Sequence, residues 1–379
     1  MEQNAYIVSA RKYRPQRWET VVGQEAVTST LKKAVATGEI GQAYLFCGPR
    51  GVGKTTCARI FARAINTGIV EPADASNGHL DILLPEGHSD DWAFNIFELD
   101  GASNNKVEDI RGLIDQVRIP PQIGKYKVYI IDEVHMLTTN AFNAFLKTLE
   151  EPPPHALFIL ATTEKHKVLP TILSRCQIFD FHRITVNDMV AHLQRIVEEK
   201  GVKAETEALH VIAQKADGAM RDALSIFDQA IAFTGGNLTY EAVTDNLNVL
   251  GHDTYFRVTE SVLVEDIPAV LREVNEIIRR GFDLRHFITG LGEHFRQLLI
   301  GQHASTIDLL EVSENVKLRL KEQASKADMP LLQNCLHELN EADLHYRSSQ
   351  NPRLHTELLM MKLCSIPARI REKKKAALS

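Results

Sequence analysis

Gly48, Pro49, Arg50, Gly51, Val52, Gly53, Lys54 and Thr55 match the pattern G-x-x-x-x-G-K-[ST], and Thr56 follows directly. In such a loop the glycines let backbone N–H groups turn inward around phosphates, and a helix starting there adds the positive end of its dipole. Lys54 would reach the β- and γ-phosphates, and the Thr55 hydroxyl would hold Mg2+. Further along, Val128-Tyr-Ile-Ile ends in Asp132-Glu133. Asp132 would hold the Mg2+ through water and Glu133 would orient and polarise an attacking water, as phosphoryl transfer to water requires. The alternative is a pair of solvated acids capping a strand. Ala161-Thr162-Thr163 brings a hydroxyl toward the same edge, where it would hold that water or read the γ-phosphate. Nucleotide hydrolysis is therefore expected as well as binding.

These groups need strands that end together. Residues 43–47, 127–131 and 157–161 are short apolar runs that read as buried parallel strands. Helical patterns lie between them at 54–65, 106–117 and 139–150, the last with Phe142, Phe145, Leu146 and Leu149 on one face. Strands alternating with helices predict an α/β fold around a central parallel sheet. From about residue 184 the strands stop, and Thr185 or Asn187 is the expected N-cap of an amphipathic helix. Everything beyond reads as helix, with one bundle over 185–245 closing near Gly235 and Gly236, a second over 252–368, and a basic tail from 369. Residues 66–97 differ, being rich in Gly, Pro, Asp and Ser without periodicity, and read as a long surface excursion.

Composition narrows the class. The chain has 379 residues, 43 Lys+Arg against 49 Asp+Glu and a formal charge of −6, and is 44% hydrophobic. At roughly 100–200 residues per domain, two to four domains are expected. No apolar stretch is long enough to span a bilayer, and the first residues lack the apolar core of a secretory signal, so a cytoplasmic protein is expected. Mild acidity argues against coating nucleic acid by bulk charge but leaves room for a local basic surface in a larger assembly. The five cysteines, Cys47, Cys57, Cys176, Cys335 and Cys364, form no C-x-x-C pair and read as packing thiols. His337-Glu338 lacks the second His of a helical zinc-protease motif, and a two-domain helicase would need a second α/β domain where this chain turns helical.

Taken in order, the phosphate loop, Asp132-Glu133, Thr162-Thr163, Ser174-Arg175-Cys176 and Gly218-Ala-Met-Arg221-Asp-Ala resemble the AAA+ clamp-loader family, and within it most closely the gamma/tau subunits of bacterial DNA polymerase III. Arg11-Lys-Tyr-Arg-Pro15, Val21-Val-Gly-Gln-Glu25, Asp132-Glu-Val-His-Met-Leu137 and Phe142-Asn-Ala-Phe-Leu-Lys-Thr-Leu-Glu-Glu-Pro-Pro153 carry the resemblance further. It runs from about residue 5 to 245 and continues more weakly, by helical pattern, to about 366.

The resemblance implies an AAA+ domain over about 1–180, a helical lid over 181–245, a helical collar over 250–368 and a basic tail over 369–379. It implies an ATP- and Mg2+-dependent ATPase that loads a sliding clamp onto primer-template DNA within a polymerase holoenzyme, without a polymerase site of its own. Its partners would be delta- and delta-prime-like subunits and copies of itself, with no membrane. Thr163 would be sensor 1, Arg175 an arginine finger acting on the neighbouring subunit's nucleotide, and Arg221 sensor 2. Lys106 and Arg111 would follow the DNA backbone, against the bland alternative of a solvated face beside Glu108 and Asp109. Arg118-Ile-Pro-Pro-Gln-Ile123 would touch the clamp or form an ordinary buried turn. One departure is plain: these subunits usually carry a four-cysteine zinc module at 66–97, and this segment has no cysteine. His79 and His88 with Asp74, Asp81, Asp90 and Asp91 do not read as a zinc site, so zinc is not expected. Ile82, Leu83, Leu84, Trp92 and Phe94 would then hold the insertion together. The alternatives are an AAA+ fork- or Holliday-junction-remodelling ATPase and a non-catalytic structural subunit.

Overall fold

The structure is a computed structural model that describes residues 7–67, 95–122, 124–310 and 312–376. Five parallel strands, β1 (Ala43–Cys47), β2 (Ile96–Asp100), β3 (Lys127–Asp132), β4 (Ala156–Thr162) and β5 (Gln177–Asp180), form one sheet in the order β2-β3-β4-β1-β5. Helices α1 (Ser9–Lys12), α2 (Glu25–Thr37), α3 (Lys54–Thr67), α4 (Val107–Val117), α5 (Thr139–Glu150), α6 (Pro170–Leu173), α7 (Val186–Lys200), α8 (Thr206–Lys215) and α9 (Met220–Thr234) are followed by α10 (Tyr240–Asn246). Six further α-helices complete the described chain: α11 (His252–Leu263), α12 (Ile267–Arg279), α13 (Leu284–Gly301), α14 (Glu314–Ser325), α15 (Met329–Tyr346) and α16 (Pro352–Ala376). The chain divides into two compact units, Met1–Leu193 with Ala213–Asp228, and Gln194–Ile212 with Gln229–Ser379.

In the first unit, β1 and β4 are buried at every position, as expected of central parallel strands covered on both faces. Strands β2 and β5 lie at the two edges and stay largely half-buried or exposed, which is why neither shows a continuous apolar run in the sequence. Register builds an aromatic ladder across the sheet. Phe97 pairs with Tyr129 and Tyr129 with Phe158, with ring centroids 5.1 and 5.5 Å apart. Phe145 of α5 meets Phe158 edge-on at 5.1 Å, so the predicted apolar face of that helix rests on the ladder. Phe142, Phe145 and Leu149 are buried, whereas Leu146 is only partly so. On the other face Phe61 of α3 packs against Tyr44 with centroids 5.0 Å apart.

Local chemistry sets the helix starts. The Thr138 hydroxyl accepts from the Ala141 N–H at 3.3 Å and caps α5. Of the two candidate caps for α7, Thr185 serves, its Oγ accepting from the Asp188 N–H at 3.2 Å. On α9, Asp228 accepts from both the N–H and the hydroxyl of Ser9 at 2.5 Å, tying the N-terminal helix to it.

The second unit is nearly all helical, around a core that includes Val258, Val274, Phe287, Leu291, Phe295, Leu332 and Met360. One expectation needs correction here. Strand structure does not stop near residue 184, because Lys203–Ala204 and Asn237–Leu238 pair as a two-residue parallel ribbon, too short to leave a period in the sequence. Cys47, Cys57, Cys335 and Cys364 are buried free thiols, and burial pushes the Cys57 thiol up to about 12. Among the described residues, no helix is long and apolar enough to cross a membrane.

Because Phe158 joins the ladder to α5, Phe158→Ala is expected to lower the unfolding free energy by about 3–5 kcal/mol. Urea denaturation followed by circular dichroism checks this.

Candidate active site

The phosphate-loop residues leave β1 at Gly48 and enter α3 at Lys54. Gly48 has φ 145°, and a Cβ there would meet the carbonyl oxygen of Phe181, so only glycine lets the loop leave between β1 and the segment after β5. Gly53 has φ 106°, a backbone conformation that favours glycine, although a Cβ there would meet no neighbouring atom. Lys54 is 5% exposed, and its ammonium donates to the carbonyl oxygens of Gly48 and Pro49, each at 2.7 Å. Burial holds it below its ordinary pKa, an effect that Glu133 and Asp132 partly oppose. A buried cation resting on neutral carbonyls is well matched to an anion such as a phosphate.

The second half of the site comes from β3. Thr55 Oγ1 donates to Asp132 Oδ2 at 2.7 Å, so a hydroxyl and a carboxylate converge across two strand–helix units. Two hard oxygens in contact fit Mg2+, and Lys54 fits the phosphates beside it. After Asp132 the backbone turns through a left-handed Glu133, φ 46° and ψ 47°, a strain of about 1 kcal/mol or more. Its carboxylate is held at the end of β4, where Oε2 accepts from the N–H and the hydroxyl of Thr163 at 3.2 and 2.9 Å. Because β4 lies between β1 and β3, Thr163 sits between the loop and the acids.

Three family models match consecutive stretches of the chain: DNA polymerase III, delta subunit, over residues 23–185; DNA polymerase III clamp loader subunit, ATPase lid domain, over 188–236; and DNA polymerase III subunits gamma and tau domain III, over 238–377. The DNA polymerase III subunit tau of Bacillus subtilis is 39% identical over 363 residues, 95% of this chain and 63% of that protein. The DNA polymerase III subunit gamma of Buchnera aphidicola subsp. Baizongia pistaciae is 38% identical over 263 residues, 69% of this chain and 70% of that one. The chain belongs to the DNA polymerase III gamma/tau family. It spans less than two thirds of the Bacillus subtilis relative. Among solved structures, the RuvB Holliday junction branch migration motor of Thermotoga maritima aligns over 66% of this chain and 79% of that one, at 20% identity and a TM-score of 0.48.

Within this gamma/tau chain the remaining candidates lie apart from the cluster or beside it. Arg175 donates to Glu150 Oε1 at 2.7 Å, the Thr171 carbonyl at 2.6 Å and the Ser174 hydroxyl at 3.1 Å, rather than to any loop residue. Arg221 stands at the start of α9, its N–H donating to the Gly51 carbonyl at 3.4 Å, so that helix closes over the loop. Thr56 accepts from Arg14 Nε at 3.3 Å on the flank of α3, and Arg50 is exposed. Lys106, the N-cap of α4, and Arg111 on that helix are exposed, whereas its buried face is Ile110, Leu113 and Val117. In the Arg118 loop, Ile119 is 60% exposed, so it is no buried turn there, and Ile123 lies outside the described residues. Of the insertion expected over 66–97, residues 66–67 belong to α3 and 96–97 to β2, so the excursion is narrower than expected, and His79, His88, its aspartates and its apolar residues from Ile82 to Phe94 lie outside the described residues.

Three residues of the site carried no role in the sequence. Gln24, 3% exposed, clasps the segment after β5, its Nε2 donating to the His182 carbonyl at 2.7 Å and its Oε1 accepting from the His182 N–H at 3.3 Å. Arg14 shares a cleft of about 470 Å3 with Thr56, Arg59, Arg63 and Glu98. Burial and then Arg59 hold its pKa below the ordinary value. His135 packs against Glu133, Thr162 and Glu164. Gln24, Arg14 and His135 all fall inside the quoted matching motifs, but nothing in their spacing reveals what they touch.

Gly48→Ala is expected to strain the loop against Phe181 and to destabilise the fold by about 1–3 kcal/mol. Nucleotide affinity should fall with it. Denaturant unfolding, together with titration of a fluorescent ATP analogue, measures both.

Proposed function

We propose that this chain is an ATPase subunit of the DNA polymerase III clamp loader, coupling ATP binding and hydrolysis to the loading of a sliding clamp onto primed DNA. The observation that carries it is the convergence of Lys54, Thr55, Asp132, Glu133 and Thr163 at the C-terminal ends of β1, β3 and β4, where ligands of open α/β sheets bind. Family membership supports the same conclusion.

The glycine loop from Gly48 to Gly53 would wrap the phosphates with backbone N–H groups, and Thr55 and Thr56 would extend that contact at the start of α3. Lys54 would exchange its two carbonyl acceptors for β- and γ-phosphate oxygens. Thr55 and Asp132 would hold Mg2+, which when bound neutralises charge developing on the phosphates. Glu133, steadied by Thr163, would orient the attacking water. Arg221 would reach the nucleotide from α9. Arg175, engaged in its own chain with Glu150, would act on the nucleotide of a neighbouring subunit, making hydrolysis depend on assembly.

The proposed division is a nucleotide-binding domain over about 1–180, a lid over 181–245 and a collar over 250–368 that joins delta-like and delta-prime-like subunits and further copies. Lys106 and Arg111 would contact primer-template DNA weakly in each subunit, with affinity gained from several. Ile119, exposed beside Pro120, would touch the clamp. The chain would work in the cytoplasm without zinc, contributing to the polymerase holoenzyme without a polymerase site. An intact Lys54, Thr55, Asp132 and Glu133 argues against a non-catalytic subunit.

With partner subunits, clamp and primed DNA, ATP turnover is expected to fall at least about a hundredfold in Lys54→Ala, through loss of charge stabilisation in the transition state. Arg175→Ala is expected to lose turnover while each chain still binds nucleotide. Turnover unaffected by Lys54→Ala would contradict the proposal. Coupled phosphate-release assays and nucleotide titrations provide the two readouts.

A further inference from the structure

His135 follows the acidic pair, and its side chain is 6% exposed. Both ring nitrogens face polar groups. Nε2 lies 3.1 Å from Glu164 Oε2. Lys167 donates to that same oxygen at 2.8 Å and holds the Glu164 carboxyl below its ordinary pKa, so Nε2 faces a carboxylate that stays charged. Nδ1 lies 3.0 Å from Thr162 Oγ1 and 3.4 Å from Glu133 Oε2. Thr162 is itself fully buried, and its hydroxyl accepts from the Glu164 N–H at 3.0 Å. The ring therefore lies between the end of β3 and the end of β4, with Nδ1 bonded to Thr162 and Nε2 turned to Glu164.

Glu133 has particular need of such a support. Its backbone is left-handed, so the side chain leaves from a strained turn rather than from the regular ladder of β3. Its Oε2 takes both Thr163 contacts and also faces His135, leaving Oε1 for a water. Thr163 alone approaches this carboxylate from one strand; the imidazole adds a rigid wall from the turn itself.

We propose that His135 is a positioning residue for the Glu133 carboxylate, held by Glu164 on one side and Thr162 on the other, and that it sets the direction from which Glu133 meets the attacking water. This rests on the ATPase proposal and goes beyond it, because it assigns a role to a side chain to which that proposal gives none.

The test uses the full chain assembled with its partner subunits, clamp and primed DNA. kcat and KM for ATP, the Kd of a fluorescent ATP analogue and the melting temperature are measured for the unsubstituted chain, His135→Ala, His135→Gln and Glu164→Gln. His135→Ala is expected to lower kcat about tenfold to a hundredfold, with KM and Kd within about twofold of the unsubstituted values. His135→Gln, whose amide keeps a polar group beside Thr162 and Glu164, should recover part of the loss, and Glu164→Gln should shift kcat in the same direction by less. Unchanged kcat in His135→Ala beside an active unsubstituted complex would overturn this inference and leave the ATPase proposal standing. A parallel fall in kcat, Kd and melting temperature, with no rescue by His135→Gln, would overturn it by showing a merely structural role. An unsubstituted complex without turnover would overturn the ATPase proposal and this inference together.

Discussion

The hydrogen bond from Thr55 to Asp132 holds together two parts of the chain that are 77 residues apart in sequence. It forms only if α3 starts where the glycine loop ends and β3 ends level with β1, although β4 lies between those strands. That alignment depends on the register of Ala43 with Phe158 and of Lys127 with Ala156. The register in turn is held by the stack of Phe97, Tyr129 and Phe158, which a one-residue slip would break by turning one ring to the opposite face of the sheet. Packing of the aromatic ladder and placement of the site oxygens are therefore one constraint.

Charge is balanced within the same small space. Lys54 is buried beside two carboxylates, and its pKa is lowered because burial outweighs their attraction. Glu133 is kept from relaxing toward the ammonium by Thr163 and the His135 turn. The strain at Glu133 is small beside the sheet packing that over-determines it. In the proposed mechanism this arrangement separates a phosphate-binding cation, a metal edge and a water-directing carboxylate that would otherwise collapse into ion pairs.

Much of this was legible because the informative residues are local. Strands β1, β3 and β4 are covered on both faces and so appear as continuous apolar runs, and the phosphate loop is one contiguous pattern. Strands β2 and β5 were obscured by their edge positions, which leave side chains half in solvent. The ribbon of Lys203–Ala204 with Asn237–Leu238 is too short to leave a period. The assignments of Arg175 and Arg221 rest on resemblance, since a lone arginine has no pattern; in the structure the Arg175 side chain bonds Glu150, and the Arg221 N–H donates to the Gly51 carbonyl. His135 could not have been singled out, because its partners Thr162 and Glu164 come from another strand end and meet it only after the sheet has formed.

The central claim is that the Thr55–Asp132 pair forms the metal edge of a nucleotide site. Electron paramagnetic resonance titration of Mn2+, in place of Mg2+, with a non-hydrolysable ATP analogue tests it most directly, comparing the unsubstituted chain with Thr55→Val, which keeps the shape and removes the hydroxyl. Saturable binding of Mn2+ with the analogue, weakened about tenfold to a hundredfold in Thr55→Val, is the predicted result. Mn2+ bound equally well by Thr55→Val in the presence of the analogue would contradict it.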